Sequence, residues 1–308
     1  MKILITGGAG FIGSHVVDAY CASGATVHVI DNLATGQQAN VNLKAKLHQV
    51  DVTDEVAVRA VFEQVQPELV IHCAAQASIP QSIADPDFDE AVNVGGMRSL
   101  IQAATACASV KRFVNVSTAG VLYGDAAERP TVETAEPVIQ NPYVQHKLEA
   151  EALLIDDLPF SIVTLRLSNV YGPRQNPKTE AGVVAIFIEA LLEGRTPVVN
   201  GDGLQTRDFV YVSDVVAAIE AVASSHVSGV FHVGSATETT VQAVFETVAK
   251  ALGASDVVPD HGPAKGDEQR YSCISSEKLK AAVGWEPRVP FAEGVLETAM
   301  WFQRSHNK

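Results

Sequence analysis

The stretch "KILITGGAGFIGSHVVDAYCASG" (Lys2–Gly24) decides the fold. A short apolar run, Lys2–Thr6, ends in glycines; helical periodicity then starts at Phe11 and stops at Gly24, the position of a C-terminal cap. Gly8, Gly10 and Gly13 satisfy Gly-x-Gly-x-x-Gly, while Gly7, Gly10 and Gly13 satisfy Gly-x-x-Gly-x-x-Gly. In either alignment glycine permits a tight turn and close backbone approach, and the helix start offers free N–H groups to a pyrophosphate. Such a pattern is weak alone and informative in this strand–turn–helix setting.

The same strand pattern recurs in "TVHVID" (Thr26–Asp31), "LHQVDV" (Leu47–Val52), "LVIHCAA" (Leu69–Ala75), "RFVNVS" (Arg112–Ser117) and "FSIVTLRL" (Phe160–Leu167). Helical segments fall near 55–65 and 86–108 and after Asn141. Apolar strands alternating with helices predict an α/β fold, a doubly wound parallel sheet of the Rossmann type. Past Leu167 the rhythm changes to the loop "SNVYGPRQNPKTEAG" and a helix near Val183–Glu193. "RDFVYVSDVVAAIEAV" (Arg207–Val222) returns to strand-then-helix and is expected to rejoin the sheet. The expected division is a dinucleotide-binding domain of residues 1–170 with 206–234, and a smaller, discontinuous α+β C-terminal substrate lobe of 171–205 with 235–308.

Bulk properties narrow the partners. The chain of 308 residues is 47% apolar and 19% charged, enough for a large core. A formal net charge of -14 disfavours nucleic acid and anionic membrane surfaces. Cys21, Cys73, Cys107 and Cys273 lack metal-ligand or redox spacing, so free thiols, no metal site and a reducing, cytoplasmic setting are expected. The N-terminus lacks a signal-peptide pattern, and no apolar run is long enough to span a membrane.

Asp31 ends the second strand at the distance expected of an acid that accepts from ribose hydroxyls. Its charge repels a 2′-phosphate, and "DNLATGQQANVN" offers no Arg or Lys to bind one, so NAD is favoured over NADP. Asp51 and Val52, at the end of the third strand, are placed to flank the adenine.

The strand ends at the carboxyl edge then form the active-site rim. Ser117 and Thr118 lie just past the fifth strand. "NPYVQHKLEAE" (Asn141–Glu151) starts a helix and stacks Tyr143 and Lys147 one turn apart on one face. A phenol with a pKa near ~10 is a poor base at neutral pH. A neighbouring ammonium and an oxidised nicotinamide would lower that value. Tyr143 could then take a hydroxyl proton while hydride leaves the same carbon. His72 and Cys73 read as packing residues beside the cofactor, and His146 as a solvated helix residue.

These motifs together resemble the extended short-chain dehydrogenase/reductases, and within them the UDP-glucose 4-epimerase family, over nearly the whole chain. "TGGAGFIGSH" matches the cofactor loop, "DNL" the ribose acid, "HCAAQ" (His72–Gln76) the fourth-strand motif and "YVQHK" the Tyr-x-x-x-Lys. "AVNVGG" supplies the family's Asn as Asn93, "RLSNVYGPRQ" its substrate-contacting Asn as Asn169, and "GDGLQTRDFVYVSDV" its diphosphate-binding Arg as Arg207. The resemblance implies NAD held by Gly7, Gly10, Phe11, Ile12, Gly13, Asp31, Asn32, Asp51, Val52, Ala74, Ala75, Gln76, Asn93, Tyr143 and Lys147. It implies a UDP-sugar held by Ser82, Thr118, Asn169, Val183, Arg207 and Asp267, and a homodimer. It implies catalysis by Thr118, Tyr143 and Lys147, in which C4 of the hexose is oxidised to a 4-keto sugar and reduced from its other face. Between Ser117 and Thr118 the family spacing to Tyr143 prefers Thr118.

Departures from the family pattern sharpen the expectation. Related dehydratases carry an acid just after the hydroxyl residue; here Ala119 and Gly120 follow Thr118, so elimination lacks its acid. Asn176 in "GPRQNP", where glucuronate epimerases carry Arg, favours a neutral hexose. Ala264 replaces a usual Arg, with Lys265 as a candidate substitute charge. Tyr271 falls where the family limits room near the sugar 2-substituent, which points to non-acetylated sugars.

Overall fold

A computed structural model describes residues 1–178, 182–264 and 269–306. In chain order the elements are β1 (Lys2–Thr6), α1 (Phe11–Ala22), β2 (Thr26–Ile30), β3 (Lys46–His48), α2 (Glu55–Val65), β4 (Leu69–His72), α3 (Ile79–Ala84) and α4 (Pro86–Glu90). A π-helical turn at Ala91–Gly95 leads into α5 (Gly96–Ala106), β5 (Arg112–Thr118), α6 (Pro142–Ala152) and β6 (Ser161–Leu167). Then come β7 (Asn169–Tyr171), α7 (Val183–Leu192), β8 (Val198–Asn200), β9 (Thr206–Tyr211), α8 (Val212–Ala223) and β10 (Gly229–Val233). The chain closes with β11 (Glu238–Thr240), α9 (Val241–Ala251), β12 (Asp260–Gly262), α10 (Glu277–Val283) and α11 (Phe291–His306).

Two compact units result: Met1–Thr118, Ile139–Arg166 and Val216–Phe231 form the first, and Ala119–Val138, Leu167–Val215 and His232–Lys308 the second. Residues 119–138, 167–170, 206–215 and 232–234 thus fall in the second unit, whereas the sequence-based boundaries put them in the first.

The seven-stranded sheet runs β10-β6-β5-β4-β1-β2-β3. The pairs β1–β2, β2–β3, β1–β4 and β4–β5 are all parallel. Chain order reverses between β1 and β4, and ligands of open α/β sheets bind at such switch points. Val70, Met97, Leu100 and Phe113 of this unit are buried in one cluster with Leu4, Val61 and Phe62. Local chemistry sets the helix ends: Asp54 caps α2 by accepting from the Ala57 N–H at 3.0 Å, and Asn141 caps α6 by accepting from Val144 at 3.0 Å. Gly24, just past α1, has φ +83°, the left-handed conformation glycine adopts at low cost.

Three sequence-based expectations need correction. The strand expected at 47–52 closes early, because Asp51 turns the chain by accepting from the N–H and hydroxyl of Thr53 at 2.9 and 2.7 Å. The single helix expected over 86–108 is divided: Asp85 caps α4 by accepting from Phe88, and the π-turn inserts an extra residue before α5. The strand beginning at 206 does not rejoin the large sheet. It pairs parallel with β7 and antiparallel with β11, and α8 and β10 are the pieces that return.

In the second unit β8 and β12 form a further parallel pair. Tyr171 packs in tilted contacts with Phe291 and Tyr211 and edge-on with Phe209, and Phe187 meets Phe245 edge-on at 5.9 Å. Among the described residues no helix is long and apolar enough to cross a membrane, and no group of three or more metal-ligating side chains occurs.

Candidate active site

The glycine turn lies between β1 and α1. Gly7 has φ +68°, and a Cβ there would stand 2.7 Å from the Ala74 nitrogen at the end of β4. A Cβ on Gly13 would overlap the Gly7 carbonyl oxygen. The turn and the first helical turn therefore pack backbone on backbone, which only glycine allows. Gly10 is the N-cap of α1 and brings no side-chain cap, and the first turn carries no acid, so its N–H groups have no side-chain acceptor. Asn93 is buried, and its Oδ1 has no protein partner. A pyrophosphate-bearing dinucleotide fits these features.

Asp31 is buried and braces the turn. Its carboxylate accepts from the Ala9 N–H at 2.9 Å and the Leu33 N–H at 2.8 Å. A carboxylate has about four acceptor sites, so two remain for ribose hydroxyls. Asn32 donates to Asp51 at 2.7 Å. Burial raises the Asp51 pKa, but hydrogen bonds from Thr53 and Asn32 outweigh it and hold the group below the usual carboxylate range. The Val52 side chain is in the core, against the Cα of Gly96. Ala74 and Ala75 follow β4, and the Ala74 N–H donates to the Thr6 hydroxyl at 3.2 Å. That hydroxyl also meets His72 Nδ1 at 2.7 Å; burial, with the charge of Lys147, pushes the His72 pKa down to about 3, a neutral packing residue as expected.

Three residues at four-residue steps along α6 reach β5. The Thr118 hydroxyl acts on the Tyr143 phenol and favours its ionised form. Lys147 Nζ donates to the Val116 carbonyl at 3.2 Å. Glu151 accepts from the Ser117 hydroxyl at 2.5 Å and takes Arg166 through Nε and Nη2, the latter at 2.7 Å. Ser117 is therefore engaged in an ion-pair network, and Thr118 is the hydroxyl that acts on the phenol.

The expected lowering of the Tyr143 pKa includes a bound oxidised nicotinamide; the protein's own groups act on the phenol as follows. Burial pushes its pKa up to about 12, against the Thr118 hydrogen bond, and the charge of Asp89 adds to the rise. Burial likewise lowers the Lys147 pKa, while Glu151, Cys73 and Asp89 oppose that fall. His146 also needs correction: it is buried, with Nδ1 2.6 Å from Asp89 Oδ2.

Other expected residues are placed as follows. Gln76 donates to Asp89 at 2.5 Å and to the Ser78 carbonyl, and accepts from the Ser78 N–H, so its side chain is committed within the unit. Ser82 is fully buried, donates to the Ile79 carbonyl and accepts from the Tyr143 N–H at 3.3 Å, which pins the start of α6. In the second unit Asn169 opens β7, Val183 opens α7 and Arg207 lies on β9, with Nη1 donating to the Thr206 carbonyl at 2.7 Å. Asp267 and Lys265 fall outside the described residues. Ala119 is buried and its N–H donates to the Leu167 carbonyl at 2.7 Å, so the position after Thr118 is a packed one.

Asp89, Glu151 and Arg166 carry the site's support and were not among the expected site residues. The available signal was spacing: Asp89 and Asn93 are four apart, as are Lys147 and Glu151.

Residues 3–234 match the NAD dependent epimerase/dehydratase family. The chain belongs to that family. Relatives of this epimerase/dehydratase chain agree along its full length. It is 38% identical to a UDP-glucose 4-epimerase of Mycolicibacterium smegmatis over 98% of this chain and 99% of the relative. A crystal structure of the Thermotoga maritima UDP-glucose 4-epimerase with UDP-glucose superposes with a TM-score of 0.96 at 38% identity, covering 99% of this chain and 100% of that one. The Thermus thermophilus UDP-glucose 4-epimerase, in complex with NAD, gives a TM-score of 0.91 at 38% identity, covering 98% and 99%.

Proposed function

We propose that this chain interconverts the C4 epimers of a UDP-hexose, with UDP-glucose and UDP-galactose as the first candidates. The observation that carries the reading is the Thr118–Tyr143–Lys147 constellation followed by Ala119 and Gly120, a proton-transfer couple with no adjacent acid to expel water. The substrates of the similar UDP-glucose 4-epimerases support the choice of sugar.

Gly7, Gly10, Phe11, Ile12 and Gly13 would cradle the pyrophosphate of NAD, Asp31 the adenosine ribose, and Asn93 Oδ1 and Lys147 the nicotinamide end. NAD supplies a reversible hydride acceptor next to the sugar C4. Tyr143 accepts the 4-hydroxyl proton as C4 is oxidised and gives it back as C4 is reduced. The proton that Tyr143 gains in the outward step makes it the acid for the return step. Thr118 donates to the phenolic oxygen and so favours the deprotonated form needed for the outward step. Lys147, buried beside it, adds positive charge that favours the same form. Asn169, Val183, Arg207 and Asp267 are assigned to the UDP moiety.

Exposed Ile83, Phe88 and Ile139, on or before the mutually packed α3, α4 and α6, are proposed as part of a homodimer surface. Four free cysteines support a cytoplasmic setting. The test is a panel of UDP-sugars incubated with purified protein and followed by NMR. Inversion at C4 of UDP-glucose and UDP-galactose is expected; a panel with no sugar changed at C4 would remove the reading.

A further inference from the structure

Behind the Tyr143 helix lies a buried polar cluster for which the proton-transfer step itself has no use. Asp89 is 0% exposed. Its Oδ2 meets His146 Nδ1 at 2.6 Å, and its Oδ1 accepts from Gln76 Nε2 at 2.5 Å and Asn93 Nδ2 at 3.2 Å. Asn93 Nδ2 also reaches the Gln76 carbonyl at 3.0 Å. One carboxylate therefore ties together α4, the π-turn, the loop after β4 and α6. A buried charge with several donors is stable where it stands, and removing one partner leaves the rest unmatched.

We propose, building on the epimerase reading, that Asp89, held by His146, Gln76 and Asn93, is a positioning residue that sets the register of α6 and the electrostatic potential in which Tyr143 and Lys147 work. The π-turn supports this, since such insertions occur frequently at functional sites and this one places Asn93 beside Asp89. His146 sits between the two working residues on α6, so fixing its ring fixes both neighbours. Thr118 and Asp89 act on the Tyr143 phenol, with Lys147 one turn along α6; Glu151, Cys73 and Asp89 act on Lys147, which in turn acts on His72. Among the described residues, Asp89 is the carboxylate that acts on both. Its negative potential disfavours the Tyr143 phenolate and favours the Lys147 ammonium.

The signs give a test that packing alone would not reproduce. Asp89→Asn keeps the shape and removes the charge. Tyr143 then loses its proton more readily, and so does Lys147. Both limbs of the pH profile of kcat should move to lower pH; the plateau value of kcat should fall on the order of tenfold because the amide can no longer accept from all the donors that hold α6, with KM changed less than about twofold. His146→Leu leaves the carboxylate with one donor fewer and should move the limbs the other way; it serves if Asp89→Asn does not fold. Asp89→Glu, which restores the charge, should return the limbs toward the parent. Limbs that stay in place in folded Asp89→Asn or His146→Leu protein would overturn the proposal.

A second readout needs no turnover. In a long-range 1H–15N spectrum of the histidine rings, the His146 Nδ1 proton bonded to Asp89 should appear far downfield. It should vanish in His146→Leu and lose that downfield position in Asp89→Asn. A parent spectrum without that resonance contradicts the pair. If the parent epimerises no UDP-sugar while the resonance behaves as described, the functional reading fails and the pairing stands.

Discussion

The two units differ in how their candidate working groups are held, although both contain buried polar atoms without a partner among the described residues. Lys147, Ser82, Gln76, Ser117 and Asp89 all have protein partners within 3.3 Å, and Thr118 acts on Tyr143. In the second unit the buried side-chain oxygens of Asn169, Gln175, Gln205 and Gln269 have no partner among the described residues, and the same holds for Asn93 and Asn115 in the first. Bond-making chemistry benefits from groups fixed before the substrate arrives, because no reorganisation is then needed during reaction. A surface that must grip one end of a ligand while the other end turns over needs donors and acceptors that are not already engaged. On the proposed function, the first unit carries the chemistry and the second the holding of the nucleotide.

Substitutions can break or sharpen that contrast. The largest effect is expected from Tyr143→Phe, which removes the proton carrier and leaves the buried ring. Turnover should fall about 10²–10⁴-fold with thermal stability and bound NAD retained. Rates near the parent would remove Tyr143 from the mechanism. Gly13→Ala comes next, because its methyl group meets the Gly7 carbonyl; about 1–3 kcal/mol of stability should be lost, with most of the co-purifying NAD. Thermal melts and the absorbance of released cofactor read both, and a variant that keeps its melt and its NAD contradicts the packing.

Thr118→Val removes the hydrogen bond that lowers the Tyr143 pKa. With the phenol harder to deprotonate, the acid limb of kcat should shift to higher pH, and kcat at neutral pH should drop on the order of tenfold. Ser117→Ala should leave the limb in place; a limb that moves in Ser117→Ala and not in Thr118→Val reverses the assignment. The smallest effect on chemistry is expected from Arg207→Met in the second unit. KM should rise on the order of tenfold with kcat within about threefold, the mark of uniform binding. A fall in kcat at constant KM would erase the distinction between the units.

Much of the first unit was legible in the sequence because its signals are local. β1, β2, β4, β5 and β6 are short apolar runs, and α1, α2 and α6 carry their caps or breakers within a few residues. The glycine loop and the Tyr143–Lys147 spacing are local too. What escaped depends on partners far along the chain. His146 looks like a surface residue until Asp89, 57 positions earlier, is beside it. The same carboxylate adds to the rise that burial gives the Tyr143 pKa. The strand beginning at 206 has an ordinary pattern, and nothing within it tells β7 from the large sheet as its neighbour.

The central claim is that Tyr143 moves a proton while the C4 hydrogen of the sugar leaves and returns within one active site. The direct measurement uses UDP-galactose deuterated at C4, incubated with the purified protein in ordinary water without added NAD, and followed by NMR and by absorbance at 340 nm. The account predicts UDP-glucose that keeps its deuterium at C4, the same equilibrium mixture from either epimer, and no accumulation of free NADH. Loss of the deuterium to solvent, or NADH formed in proportion to sugar consumed, would contradict it.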